Sequence, residues 1–560
     1  MDGYLVVWLL LGLGIITAIR RYRAGRFIRK LRGPPSPSFL LGKWSDGVNH
    51  SAPLMMRLGH LDQWSHQSNV GGLEQQWCRE YGTVWRMKGC FSGDFLMVAD
   101  PKALQYILHK SGYHFVKGAV SVQIVREING ESGLVSVTGS DHARMRKIMN
   151  PAFTSGQLRS FLPLFRRSAQ KLGRLWMEDI QNDSRNGQRM NVLNWISRCT
   201  LDAIGEVAFD VDCGALDDML HPIMQAYKNM FAQSIPYPAR ATWLFRSLWP
   251  YVPDRLLRLV KYLPTRDHIH FRRAMKKIER YSWSLVQEKR RAVSEESKNA
   301  PNKRDIMSII VRANTSEDPK HRLSDVQMIT LMATFLLAGH ETTSNSLSWL
   351  LYELARHPEH QTLLRQEIQA VRARVAERGD SDFSANDMDS MHLVVAAIKE
   401  ILRLHPIVPT YIRVSTRDEV LPLAHPVTNV DGETVNEIPI PSGTHLFLSV
   451  WTYNRLPQIW GKDAHEFNPS RFLVQETLGE THVGVTSNLM TFGAGLQACL
   501  GWRFALIEIQ AILVELIERF AFGIPEDRPE IVQLPAGITT PIVKGEEAVG
   551  AQMPLHVVPI

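Results

Sequence analysis

Cysteine is scarce, with five in 560 residues: Cys78, Cys90, Cys199, Cys213 and Cys499. An odd, scattered set without close pairs excludes a disulfide-stapled scaffold and a zinc ribbon. No segment repeats at a solenoid or propeller period, and there is no low-complexity tract. A flavin or nicotinamide segment is also missing. The dinucleotide-like run Gly493-Ala-Gly495-Leu-Gln-Ala498, with Glu515 and Glu518 downstream, leaves only 60 residues after Leu500, too few for the alternating strands and helices such a fold requires.

Charge is absent over sixteen residues, Tyr4 to Ile19. That is just short of the roughly 17–25 residues of a membrane-spanning helix, which Met1 to Gly3 could complete. A cleaved secretory signal competes, but it carries positive charge ahead of its apolar core. Here the one early charge is Asp2, and the cations Arg20, Arg21, Arg23, Arg26, Arg29, Lys30 and Arg32 come afterwards. By the positive-inside tendency the rest of the chain stays in the cytosol. The expected organisation is an N-terminal membrane anchor over 1–21, a basic and proline-rich linker over 22–37, and a body over 38–560.

The chain as a whole is ordinary for a globular protein, 44% hydrophobic and 21% charged with a net charge of +8, and can bury a large core. Tyr81 to Lys88 and Phe95 to Ala99 read as a hairpin, and Asp100-Pro101 opens a helix. Five prolines between Ser234 and Thr265 exclude one long helix there; the interleaved aromatics and arginines suit either a membrane-touching surface or a packed loop. Lys289 to Asp325 reads as an exposed connection apart from a short helix over Ile306 to Ala313. Ser324 and Gln327 then form a capping box for a helix of some 33 residues, stopped by Pro358 and about 50 Å long. Asp387 to Arg403 reads as another helix, Pro406 to Val450 as strands and turns with a hairpin tip over Asn429 to Asn436, and Trp502 to Phe520 as a final helix.

Four places carry polar groups that such elements do not need. In Phe492-Gly-Ala-Gly-Leu-Gln-Ala-Cys-Leu-Gly501, small residues let the backbone turn tightly against a flat ligand. Cys499 lies just before a helix start, where the dipole and backbone N–H groups lower a thiol pKa and suit it to bind metal; a small buried hydrophobe is the other reading. His142 and Arg146 share one face of a cation-dense helix, either solvated or ligand-facing. Within the long helix, Gly339-His-Glu341-Thr342-Thr places an acid and hydroxyls in an apolar setting. Gly339 is read as making room for a ligand and distorting the ladder, and threonine back-bonding is the structural alternative. Glu400 and Arg403 are adjacent on one face, as a surface pair or as a buried one.

Together, and in this order, these pieces resemble the cytochromes P-450, specifically the membrane-anchored microsomal type and its fungal members. Phe492, Gly495, Cys499 and Gly501 fit the family's cysteine loop, and Gln497 stands where that loop has Arg. The resemblance implies a mainly α fold with small β-sheets, a triangular helical haem domain plus a β-rich lobe, preceded by one N-terminal transmembrane helix. It implies haem b with Cys499 as axial thiolate. His142, Arg146, Arg413, Gln497, Phe492 and Gly493 would hold the cofactor, and Val408 to Tyr411 would line the pocket. Thr342 would hold dioxygen and water by hydrogen bonds while Glu341 relays protons. Glu400, Arg403 and Arg471 would form a buried structural cluster, and 234–265 would be a lid over the substrate channel. The implied activity is oxygenation of a lipophilic molecule, such as a terpenoid of secondary metabolism, at the endoplasmic reticulum membrane. Electrons would come from an NADPH-cytochrome P-450 reductase, with cytochrome b5 as a further partner, steered by cations such as Lys462 and Arg503; no nucleic acid is involved. A non-oxygenase haem protein of the same fold, an isomerase, dehydratase or sensor, is the alternative.

Overall fold

The computed structural model describes residues 25–35, 60–90, 93–183, 187–217, 240–296, 305–314, 322–474, 481–536 and 538–560. The expected anchor lies outside them, and no helix among the described residues is long and apolar enough to cross a membrane. The longer helices are α1 Ala119–Asn129, α2 Gly139–Met149, α3 Leu162–Asp183, α4 Val192–Phe209, α5 Arg266–Glu296, α6 Asp325–Arg356, α7 Pro358–Glu377, α8 His392–Leu404 and α9 Trp502–Arg519. Their apolar stripes meet in one large core, in which Leu172, Trp176, Val207, Leu347, Leu350 and Leu513 are fully enclosed. The Ser324–Gln327 capping box opens α6 as the sequence predicts, and Pro358 begins the next helix.

A second core underlies a smaller, β-rich lobe. Its main sheet runs β1 Val84–Lys88, β2 Asp94–Val98, β3 Phe115–Val116, β4 Thr410–Ser415 and β5 His445–Ser449, in the order β1-β2-β5-β4-β3. The predicted hairpin is the β1–β2 pair, and the predicted second tip joins the paired strands Glu419–Thr428 and Thr434–Ile440. The described part of the basic linker is packed against this lobe: Ile28 and Leu31 join its core, Leu31 bridges Asn429, and Lys30 pairs with Asp431 at 2.6 Å.

Two sequence expectations are corrected. Asp387 to Arg403 is not one helix, because Ser384 and Asp387 form a capping box for a short helix Ala385–Asp389. α8 then starts afresh, with the Glu367 carboxylate of α7 accepting from the Leu393 and Val394 N–H groups at 3.0 Å each. A cap supplied by another helix satisfies the orphan donors of a new N-terminus. Nor is 289–296 an exposed connection: α5 continues through it, and Lys289 is buried against Asp305 at 3.2 Å.

Candidate functional site

The cysteine loop comprises a 3-10 turn Gly495–Gln497, then Ala498 to Gly501, where α9 begins. The loop closes when the Cys499 N–H donates to the Phe492 carbonyl at 2.8 Å. Gly493 and Gly495 adopt φ of +67° and +63°, which side-chain residues take only under strain. At Gly495 a Cβ would also fall 1.7 Å from the Leu108 carbonyl oxygen, so this glycine lets the loop approach neighbouring backbone, not the flat ligand that the sequence suggested.

Cys499 is exposed, with Arg146 and Tyr411 within electrostatic reach of its sulfur; the space that the sulfur faces is called the recess below. The expectation of a lowered thiol pKa is corrected. Burial pushes the thiol up, and the Gly501 N–H and the Arg146 charge offset this only in part. A sulfur in this setting becomes a thiolate by binding a metal cation.

Aromatic contacts connect the loop to α6. The Phe153 ring lies 4.0 Å from where a Gly501 Cβ would stand and packs against Phe335 with centroids 5.7 Å apart. Phe335, Ala338 and Thr342 recur at helical spacing and stay accessible, whereas His340 and Thr343 on the other side are buried. Thr342 Oγ1 donates to the Ala338 carbonyl at 2.7 Å, and Glu341 stands 3.6 Å from His340 Nε2. Gly339 faces away from the recess: a Cβ there would sit 2.8 Å from Ile204 Cγ1 of α4, and α6 is continuous through it. The predicted ligand room and ladder distortion are therefore replaced by close helix packing.

On another side of the recess three cations converge. Arg146 Nη1 donates to the Ala498 carbonyl at 2.5 Å, Arg413 Nη2 to Gln497 Oε1 at 3.2 Å, and Lys117 Nζ to the Val135 carbonyl. Every one of these acceptors is neutral, and no carboxylate among the described residues pairs with any of the three. Burial lowers Arg413 to about 10 and Lys117 to about 8. His142 accompanies them, with Nδ1 2.9 Å from the Tyr113 hydroxyl; burial, then Lys117 and Arg146, lower it to about 4, so its imidazole is neutral. Buried charge without a counterion is costly, so this cluster is built for an anionic ligand.

Lys117 and Tyr113 went unread in the sequence because no motif or periodicity surrounds them. Glu508 was missed too: it is fully buried in α9 beside the Thr343 hydroxyl, and burial pushes its carboxyl well up. Its position on the apolar face of a helix was the available signal.

Glu400, Arg403 and Arg471 do come together. Arg403 holds Glu400 through two bonds of 2.8 Å and also donates to the carbonyls of Asn454, Ala464 and Glu466. Arg471 reaches Glu400 at 3.1 Å and Asp463 at 2.7 Å. Tyr411 turns toward the cysteine loop, its hydroxyl donating to the Thr491 carbonyl at 3.1 Å. Lys462 and Arg503 are exposed, Arg503 lying over the Trp502 ring.

A sulfur donor on the recess floor and uncompensated cations at its side fit haem b, whose two carboxylates supply the missing negative charge. Comparison with known proteins agrees. The family model "Cytochrome P450" matches residues 50–546. Cytochrome P450 monooxygenase 205 of Postia placenta is 33% identical over 95% of this chain and 93% of its own length. Cytochrome P450 monooxygenase claU of Ampulloclitocybe clavipes is 31% identical over 97% and 95%. The chain belongs to the cytochrome P450 family, as a monooxygenase that uses haem b with an axial cysteine thiolate.

Proposed function

We propose that this chain is a membrane-anchored monooxygenase that inserts one atom of dioxygen into a C–H bond of a lipophilic small molecule, a terpenoid being one fitting class. The observation that carries the reading is Cys499 on the floor of a recess flanked by cations with no anion of their own. Haem, when bound, would supply the oxidising chemistry; the balance of the reaction is two electrons and two protons per turnover, with the second oxygen atom leaving as water.

The chain's own residues divide the remaining work. Cys499 gives the anionic sulfur ligand, and Phe492 and Gly493 shape the loop that presents it. Arg146, Arg413 and Lys117 would neutralise the haem carboxylates, with Gln497 and the neutral His142 as hydrogen-bonding companions. Thr342 offers a hydroxyl on the accessible face of α6, and Glu341 one residue away relays protons from solvent. The accessible Phe335 and Ala338, with Val408, support an apolar substrate. Electrons come from an NADPH-cytochrome P-450 reductase, with cytochrome b5 as an auxiliary, docking near Lys462, Arg503 and the exposed Leu496.

The endoplasmic reticulum membrane is the proposed location. The uncharged stretch 4–19 followed by cations supports it, as do the exposed Leu248, Tyr251, Leu256, Leu259 and Tyr262. The test is the reduced, carbon-monoxide-bound spectrum of the purified protein and its Cys499→Ala variant, followed by reductase-driven oxygen consumption. A thiolate spectrum that depends on Cys499, and oxygen uptake that depends on substrate, are expected. A thiolate spectrum surviving Cys499→Ala would overturn the ligand assignment.

A further inference from the structure

The imidazole of His142 is only half used by the protein around it. His142 is buried on α2, with 4% of its surface exposed. Its Nδ1 lies 2.9 Å from the Tyr113 hydroxyl, and the two rings meet edge to face with centroids 6.0 Å apart. Among the described residues nothing bonds to Nε2. A buried ring nitrogen without a partner is costly unless a ligand completes it. Lys117 and Arg146 are the charged groups within electrostatic reach of the ring, and neither is an anion. Arg146 joins the pair to the cysteine loop: it lies within electrostatic reach of Tyr113 and Cys499 as well, and its Nη1 donates to the Ala498 carbonyl at 2.5 Å.

Tyr113 reaches this ring from backbone with little freedom. It follows a π-helical turn, Tyr106–Lys110, whose Leu108 carbonyl is the group that Gly495 of the cysteine loop packs on. The Ser111 N–H donates to the Tyr106 carbonyl at 2.9 Å and the Ser111 hydroxyl to that of Ile107 at 2.7 Å, which closes the turn. Gly112 then takes φ of +62°. On the other side the His114 carbonyl accepts from the Thr416 N–H at 2.8 Å and from its hydroxyl at 3.0 Å, and Phe115 enters β3. With both flanks fixed, the Tyr113 hydroxyl is in place before any ligand arrives.

A neutral imidazole carries one hydrogen, so the bond made at one nitrogen decides what the other can do. Were Nδ1 to hold the hydrogen and donate to the tyrosine oxygen, Nε2 would present a lone pair and repel an anion. When the tyrosine O–H donates to Nδ1, the hydrogen sits on Nε2 and a donor is left free. Burial raises the Tyr113 pKa, so the hydroxyl keeps its proton and can donate it, and His142, lowered to about 4, has one ring hydrogen and not two. We propose that Tyr113 is a positioning residue that locks His142 in the Nε2–H tautomer, leaving that N–H as a neutral donor for a carboxylate of the haem. The inference rests on the cation cluster being the haem carboxylate site of the proposed function. The lock adds a directional bond to a site otherwise held by charge, without a further buried cation in the haem-free fold.

Haem loss from the haem-loaded full chain to an excess of apomyoglobin tests the lock, measured on the wild type, Tyr113→Phe, His142→Gln and the double variant. Phenylalanine keeps the ring and removes the donor. A glutamine amide carries N–H donors with no tautomer to select, so it uncouples position 142 from Tyr113. Tyr113→Phe is expected to speed haem loss roughly two- to tenfold in the wild-type background, about 0.4–1.4 kcal/mol or one neutral hydrogen bond, and to leave the rate unchanged in the His142→Gln background. The resonance Raman bending bands of the haem carboxylates should likewise shift with Tyr113→Phe in the first background only. Equal haem loss from the wild type and Tyr113→Phe would overturn the lock. So would the same acceleration in both backgrounds, because Tyr113 would then act on the fold and not through His142. Either result in proteins that all show the thiolate spectrum refutes the lock alone, whereas a wild type without that spectrum overturns the proposed function and this inference with it.

Discussion

Lys117→Met is the most informative single change, because the charge of this buried lysine is a cost to the haem-free fold that, on the proposed reading, a haem carboxylate would offset. Burial, assisted by Arg413, lowers its ammonium from 10.5 to about 8. At about 1.36 kcal/mol per tenfold, the charged form costs the haem-free fold about 3 kcal/mol. Because the folded pKa lies below the unfolded one, the unfolded chain binds more protons between pH 8 and 10.5, and stability rises with pH across that window. The cost is fully present below about pH 8. Methionine is unbranched, one atom shorter and uncharged, but it strips the Val135 carbonyl of its donor, a loss of about 1 kcal/mol. The net expectation for the haem-free protein is a gain of about 2 kcal/mol at pH 7 that disappears near pH 10. Urea unfolding of both proteins at the two pH values measures the difference, and other titrating groups cancel in the comparison. Haem loss to an excess of apomyoglobin should meanwhile become faster in the variant, since one partner of the carboxylates is gone. A variant less stable than the wild type at pH 7, or a difference that does not change with pH, would refute the account of Lys117 as an uncompensated cation.

Thr342→Ala should retain the thiolate spectrum and continue to draw electrons while diverting them into hydrogen peroxide, measured as peroxide formed per NADPH consumed; a fully coupled variant would exclude a proton-handling role for the hydroxyl. Glu400→Gln should cost about 3 kcal/mol, the low end of the usual 3–5 for a broken buried cluster, because Arg471 keeps Asp463 and Arg403 keeps three carbonyls. A urea midpoint corresponding to less than about 1 kcal/mol would show that the cluster is better hydrated than its burial implies.

What the sequence discloses follows from where the physical constraint originates. The capping box at Ser324 and Gln327 was legible because both partners lie within one turn of chain. The cysteine loop was legible because one sulfur and several small residues are needed within ten positions. The break before α8 was not, since its cap comes from Glu367 on another helix. Gly339 was read with the polar residues around it, yet its reason lies in α4, where Ile204 occupies the space a methyl would need. Cys499 shows the same limit: a helix start nearby suggests a lowered thiol, and the enclosing protein, invisible in one dimension, reverses the sign.

The glutamine at 497 is the place where local pattern and tertiary context have to be weighed together. Judged by the loop alone, it removes a positive charge that the family's pattern supplies. In the folded chain that charge is not missing. Arg413 donates to the Gln497 oxygen from one side, Arg146 reaches the Ala498 carbonyl next to it, and Lys117 lies near enough to lower the basicity of His142. Three cations without carboxylate partners are already gathered near the loop, enough to match the two carboxylates that haem b would bring. A fourth at 497 would sit against Arg413, whose guanidinium is already depressed to about 10 by burial, and would raise the cost of the haem-free fold without an anion left to match it. A neutral amide accepts from Arg413 instead and orients it. Lys117 adds a cation beside Arg413 and His142 that only the folded chain brings there.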